Sequence, residues 1–136
     1  MTEITSRYLA VWSEPDPEAR RKAIANIWAP DGVEYVEGKQ FRGHAELEKR
    51  VAGAYEQFVA DRGFSVVSGG DTTRHGDIIT ATAQFLTPDD EVVWSARTFL
   101  ILGDDGLIRE DYQLTVQPLV QLPDQAEEGA QLGGER

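Results

Sequence analysis

Apolar residues open the chain at helical spacing. Ile4, Tyr8, Val11 and Trp12 fall at i, i+4, i+7 and i+8, one face of an amphipathic helix that Thr2 is placed to cap. Glu14-Pro15-Asp16-Pro17 interrupts the pattern. Asp16 can cap a second helix and Pro17 suits its first turn. Ala23, Ile24, Ile27 and Trp28 give that helix its stripe, with Glu18, Arg20, Arg21 and Lys22 mostly on the wet side. Ala29-Pro30-Asp31-Gly32 ends it, because proline disfavours helix in the residue before it. Residues 33–37 then read as a short strand, Gly38 as a turn, and residues 40–42 as a second brief strand. A third helix follows Gly43-His44, with Leu47, Val51, Ala54, Tyr55 and Phe58 on one face. Glu46 with Lys49 and Arg50 forms charge pairs on its flank.

From about residue 63 the pattern changes to strands. Four β-rich runs, 64–73, 77–87, 91–102 and 107–117, are joined by short polar links such as Arg74-His75-Gly76 and Gly103-Asp104-Asp105-Gly106. Such links join antiparallel neighbours. Helices first and strands last predict an α+β domain over residues 1–118, three helices packed on a curved antiparallel sheet with space between the layers. Residues 119–136, rich in Gly, Gln, Glu and Asp, predict an acidic disordered tail.

Composition narrows the function classes. The 136 residues carry a net charge of −11 with no basic stripe, which argues against nucleic acid and anionic lipid as partners. No apolar run is long enough to span a membrane, and the N-terminus lacks the basic and apolar regions of a signal peptide. With no cysteine and only two histidines, His44 and His75, neither a disulfide nor a transition-metal cage is expected, and a cytoplasmic location fits. No phosphate loop, calcium loop or Gly-x-Ser-x-Gly elbow is present, and no cofactor is expected.

Three passages carry a family resemblance: Trp28-Ala29-Pro30-Asp31-Gly32-Val33 before the first strand, Arg42-Gly43-His44-Ala45-Glu46-Leu47 into the third helix, and Gly106-Leu107-Ile108-Arg109-Glu110-Asp111-Tyr112 in the last strand. In order and spacing they resemble SnoaL-like proteins of the nuclear transport factor 2-like superfamily, over about residues 4–118. The resemblance implies a cone-shaped fold with an apolar pocket, often in a homodimer formed through the outer sheet face. The superfamily includes ketosteroid isomerases, polyketide cyclases, limonene epoxide hydrolases, scytalone dehydratases and non-enzymatic binders.

The candidate site residues follow from that comparison and from strand alternation. Asp111 occupies the place of a pocket-facing acid in the resembling enzymes, where an apolar setting raises a carboxyl pKa and fits it for proton transfer. Its face of the last strand is the more polar one, as a solvent face would be. Tyr35 and Glu37 alternate on one side of the first strand, as an oxyanion donor and a base, or as a core tyrosine and a solvated strand end. Arg97, mid-strand, pairs with Asp111 or Glu37 across the pocket, or lies on an outer face. Tyr8, Trp12, Trp28, Tyr55 and Phe58 lie on the apolar stripes, as core or as pocket lining. His44 sits at a pocket mouth or caps the third helix, and His75 lies in a turn. The stretch near Thr80-Ala81-Thr82-Ala83-Gln84 is neutral where the epoxide hydrolases carry an Arg-x-Asp pair, which counts against epoxide hydrolysis.

These residues favour a pocket for a small lipophilic molecule. One reading is a cofactor-free isomerase, cyclase or dehydratase acting on a lipophilic carbonyl or polyketide-like substrate. The other is a non-catalytic ligand-binding or accessory dimer domain.

Overall fold

The computed structural model describes residues 2–119. Two helices come first, α1 (Thr2–Val11) and α2 (Pro17–Ile27). Asp16 caps α2 as its sequence predicts, accepting hydrogen bonds from the Glu18 and Ala19 amides, with Pro17 in the first turn. Arg20 departs from the wet-face expectation. It is buried, donates from Nε and Nη2 to the Glu14 carbonyl, and lies over the Tyr55 ring. It thereby ties the α1–α2 connection to the third helix.

The first strand begins without a linker. β1 (Trp28–Val36) and β2 (Lys39–Arg42) form a hairpin, and α3 (Gly43–Ala54) follows, continuing as π-helical turns over Tyr55–Ala60. Then come β3 (Ser65–Ser68), β4 (Thr73–His75), β5 (Ile78–Leu86), β6 (Val92–Leu102) and β7 (Ile108–Gln117). The run read as one strand over 64–73 is thus two short strands, both pairing with β5. The sheet order is β2-β1-β7-β6-β5-β3. The sheet is mixed rather than antiparallel, because β1 returns beside β7 in parallel. All but the first residue of the segment 119–136, read as a tail, lies outside the described residues.

The helices pack on one face of the curved sheet. Ile4, Tyr8, Val11 and Trp12 of α1, Ile24 and Ile27 of α2, and Leu47 and Val51 of α3 close on Ile79, Leu100, Leu102 and Ile108. Two irregularities decide which residues reach this concave face. Ala29-Pro30-Asp31-Gly32 loops out of register between Trp28 and Val33 against β7. A Cβ at Gly32 would lie 2.9 Å from the Ile108 carbonyl oxygen, so the close approach of β1 to β7 requires glycine there. On β7, Arg109 is an extra residue between Ile108 and Glu110 opposite Leu102 and Ile101. Beyond that bulge Asp111, Gln113 and Thr115 turn inward, while Leu114 and Val116 face out, 55% and 63% exposed.

Candidate functional site

Between the helices and the sheet lies a cavity of about 560 Å³, within the usual range for small-molecule sites. Its walls are aromatic: Trp12 from α1, Phe41 from β2, Phe58 from the π-helical turns, and Phe85 and Trp94 from the sheet. Phe85 packs against Phe58 at 5.0 Å and Trp94 at 4.7 Å between ring centres. Its polar floor is the Arg50 guanidinium and the Gln113 carboxamide, and Glu37, Lys39 and Thr115 stand nearby on the lining.

Behind that floor sits a buried acidic pair. Glu34 of β1 and Asp111 of β7 are register partners on parallel strands and are both fully buried. Glu34 accepts from Arg50 Nε at 2.8 Å and from Gln113 Nε2 at 2.8 Å, and Gln113 Nε2 also donates to the Tyr8 hydroxyl at 3.0 Å. The Asp111 oxygens have no partner with hydrogen-bond geometry among the described residues, although Tyr8 and Glu34 adjoin them. Desolvation, then the Glu34 charge, pushes the Asp111 carboxyl well above the carboxylate range. Burial also raises Glu34, against the opposing pull of Arg50. Burial lifts the Tyr8 hydroxyl well above its usual value, so it stays protonated. Two carboxyls this close do not both ionise readily. The upward push is the stronger at Asp111, while Arg50 opposes it at Glu34.

The residues singled out from the sequence are dispersed. Trp12 and Phe58 line the cavity. Tyr8 and Trp28 do not: both are fully buried in the core beneath it, with ring centres 5.6 Å apart. Tyr55 also misses the lining, because the wide π-helical turns break the helical period after Ala54 and direct it toward Arg20. Tyr35 lies on the opposite sheet face, stacked on Tyr112 at 4.9 Å, where it cannot polarise a carbonyl in the cavity. Glu37 does not share its strand face. The strand ends at Val36, and Glu37 with Gly38 makes the hairpin turn, both at positive φ. There Glu37 is exposed on the cavity lining and accepts from the Thr115 hydroxyl at 2.8 Å. Arg97 lies on the convex face, paired at 3.0 Å with Asp71, which also holds Thr82. It meets neither Asp111 nor Glu37. His44 bonds the Trp28 carbonyl through Nε2 at 2.9 Å, a structural tie, and His75 is exposed on β4.

Three participants lie outside the residues that the sequence marks. Glu34 is a carboxylate between the apolar Val33 and Tyr35. Gln113 shares Asp111's face two residues on. Arg50, read as a flank charge, falls three residues after Leu47 and four before Ala54, within reach of the buried stripe. Alternation and helical spacing could have marked all three. Among the described residues no group of three or more acidic or histidine side chains converges to hold a metal, and no helix is long and apolar enough to cross a membrane.

No protein-family model and no curated protein matches the sequence. Solved structures do match. A proposed isomerase of the SnoaL-like family from Agrobacterium tumefaciens superposes with a TM-score of 0.76 at 24% identity, over 83% of this chain and 94% of that one. A proposed polyketide cyclase from Sinorhizobium meliloti gives 0.60 at 20% identity, over 83% and 94%. A protein with a ketosteroid isomerase-like fold from Catenulispora acidiphila, in complex with trimethylamine, gives 0.63 at 19% identity, over 82% and 83%. The chain has the nuclear transport factor 2-like fold, the α+β cone that its sequence resembles.

Proposed function

We propose that this chain is a small-molecule pocket protein working as a cofactor-free acid–base enzyme, an isomerase, cyclase or dehydratase, on a lipophilic carbonyl or polyketide-like substrate. The observation that supports this reading is the Glu34–Asp111 pair beneath an aromatic cavity. Environments that push two neighbouring carboxyls apart, one protonated and one charged, are those in which acid and base roles divide. The carbonyl would rest against Arg50 and Gln113, whose polar groups are the floor. The Asp111 proton reaches it once the Gln113 side chain rotates away from Tyr8 and Glu34. Two of the fold neighbours are a proposed isomerase and a proposed polyketide cyclase.

A second reading, ligand binding without chemistry, is favoured by a specific observation: neither Glu34 nor Asp111 lines the cavity. A thermal-shift screen with small ketones, phenols, steroids and aromatic polyketides tests the pocket itself. Ligand at about a hundred times its Kd adds roughly 2.7 kcal/mol and raises the Tm of a domain this size by roughly 5–10 °C. With a turned-over hit in hand, Asp111→Asn should lower kcat about 10²–10⁴-fold while the variant still unfolds in one cooperative transition. Undiminished turnover in that variant sinks the catalytic reading and leaves the binding one.

We also propose that the protein is a homodimer through the convex sheet face. Leu114 and Val116 are well exposed there, beside the Tyr35–Tyr112 stack. Wild type should elute as a dimer in light-scattering chromatography, and Leu114→Asp with Val116→Asp as a monomer that keeps its ligand shift. A monomeric wild type at micromolar concentration removes this assembly.

A further inference from the structure

Arg50 is held in an unusual way for a cavity cation. Its Nε is spent on Glu34 behind it, and Nη2 makes only a long 3.5 Å contact with the Gln113 carboxamide oxygen. Nη1 has no partner among the described residues, so the outer edge of the fork faces the cavity with donors to spare. Trp12 and Phe41 lie against the guanidinium, its carbon 5.1 and 5.5 Å from their ring centres. Glu34 and the two rings fix the plane of the group, so little rotamer freedom remains to be lost on binding. Gln113 offers no competing N–H, since both amide hydrogens serve Tyr8 and Glu34. The far wall, Phe58–Phe85–Trp94, is a run of neighbouring aromatic rings suited to a π-rich body.

We propose that the cavity selects a flat aromatic or conjugated molecule bearing a planar two-oxygen anion, a carboxylate or the enolate of a 1,3-dicarbonyl, which the outer edge of Arg50 holds in a bidentate grip. The inference rests on the reading of the cavity as a small-molecule site, and adds the charge and shape of its occupant. A guanidinium edge matches two coplanar oxygens, whereas a single neutral carbonyl uses only part of it. Glu34 is not itself on the lining, so the ligand meets the cation with the buried carboxylate on its far side. Glu34 is here a positioning residue for Arg50.

The test compares two probes of one shape, 2-naphthoate and the neutral ketone 2-acetylnaphthalene, by calorimetric titration of the full chain at neutral pH. Naphthoate should bind about tenfold more tightly, the margin between charge-assisted and neutral hydrogen bonds. Arg50→Lys keeps the positive charge opposite Glu34 but removes the fork. It should weaken naphthoate more than the ketone and so shrink that preference. The wild-type comparison needs no variant, so it decides even if Arg50→Lys folds poorly. Equal or tighter binding of the ketone overturns the inference and leaves the pocket reading standing. Binding of neither probe, with no hit in the wider thermal-shift screen, overturns both.

Discussion

Glu34→Ala should cost about 3 kcal/mol of folding stability, a large effect for a single side chain in a domain of this size. The carboxylate is fully buried and accepts two hydrogen bonds, from Arg50 and Gln113. Its removal takes the short partner from the guanidinium, which keeps only the long Gln113 contact, and leaves the carboxamide N–H groups with the Tyr8 hydroxyl alone. The Arg50 side chain is 23% exposed, so some water can reach it, which places the cost at the lower end of the range for broken buried pairs. The burden lies in the orphaned partner rather than in the lost attraction. Glu34→Leu combined with Arg50→Met, which removes both charges and keeps similar volume, should therefore recover most of the loss. Urea unfolding with unchanged m-values checks both variants. A single variant within about 1 kcal/mol of wild type would mean that the pair is solvated, against its burial.

Asp111→Asn should flatten the dependence of stability on pH. Burial and the neighbouring Glu34 charge raise the Asp111 pKa in the folded state above its unfolded value of about 3.9. The folded state then holds a proton that the unfolded state releases. The stabilisation is full below about pH 4 and is lost as pH rises through the folded pKa, by up to about 1.4 kcal/mol per pH unit. Asparagine has no such proton and keeps the shape. The stability of the variant relative to wild type should rise as pH increases from about 4 and level off above the folded pKa of Asp111, whatever constant offset its amide introduces. Tyr8, Glu34 and Arg50 all adjoin the group, so the difference between the two proteins, rather than either curve alone, isolates Asp111. Parallel curves from pH 4 to 8 would show that Asp111 is ionised in the native protein.

Both predictions concern residues whose setting the sequence showed only in part. The sequence marks Asp111 by its place before the last-strand aromatic, while β1 offers Tyr35 and Glu37 ahead of Glu34. Alternation sorts β1 into two faces without saying which is concave. Apolarity points Tyr35 inward, yet the tyrosines here pack with each other on the convex side. β7 shows the same reversal. Its polar face, Asp111, Gln113 and Thr115, is the inner one, and its apolar face carries the exposed Leu114 and Val116. A sheet that encloses a cavity can place polar side chains inside, where hydrogen bonds and an ion pair satisfy them, and a polar face then no longer marks solvent.

Local pattern was enough for the rest of the frame. The stripe Ile4-Tyr8-Val11-Trp12, the Asp16-Pro17 helix start, the Leu47-Val51 face and the short polar links between β5, β6 and β7 each follow from contacts a few residues apart. Their order allows few ways to bury the three helix stripes, and one of them is this α+β cone. Tertiary structure alone decided what long-range pairing sets: the parallel return of β1 beside β7, the loop before Gly32 and the bulge at Arg109 that rotate Glu34 and Asp111 inward, and the approach of Arg50 to Glu34 and Gln113. Those choices join residues 16 and 63 positions apart in the chain, as in the Arg50 contacts with Glu34 and Gln113. No periodicity within one element encodes them, because they depend on how whole strands slide against one another to close the core.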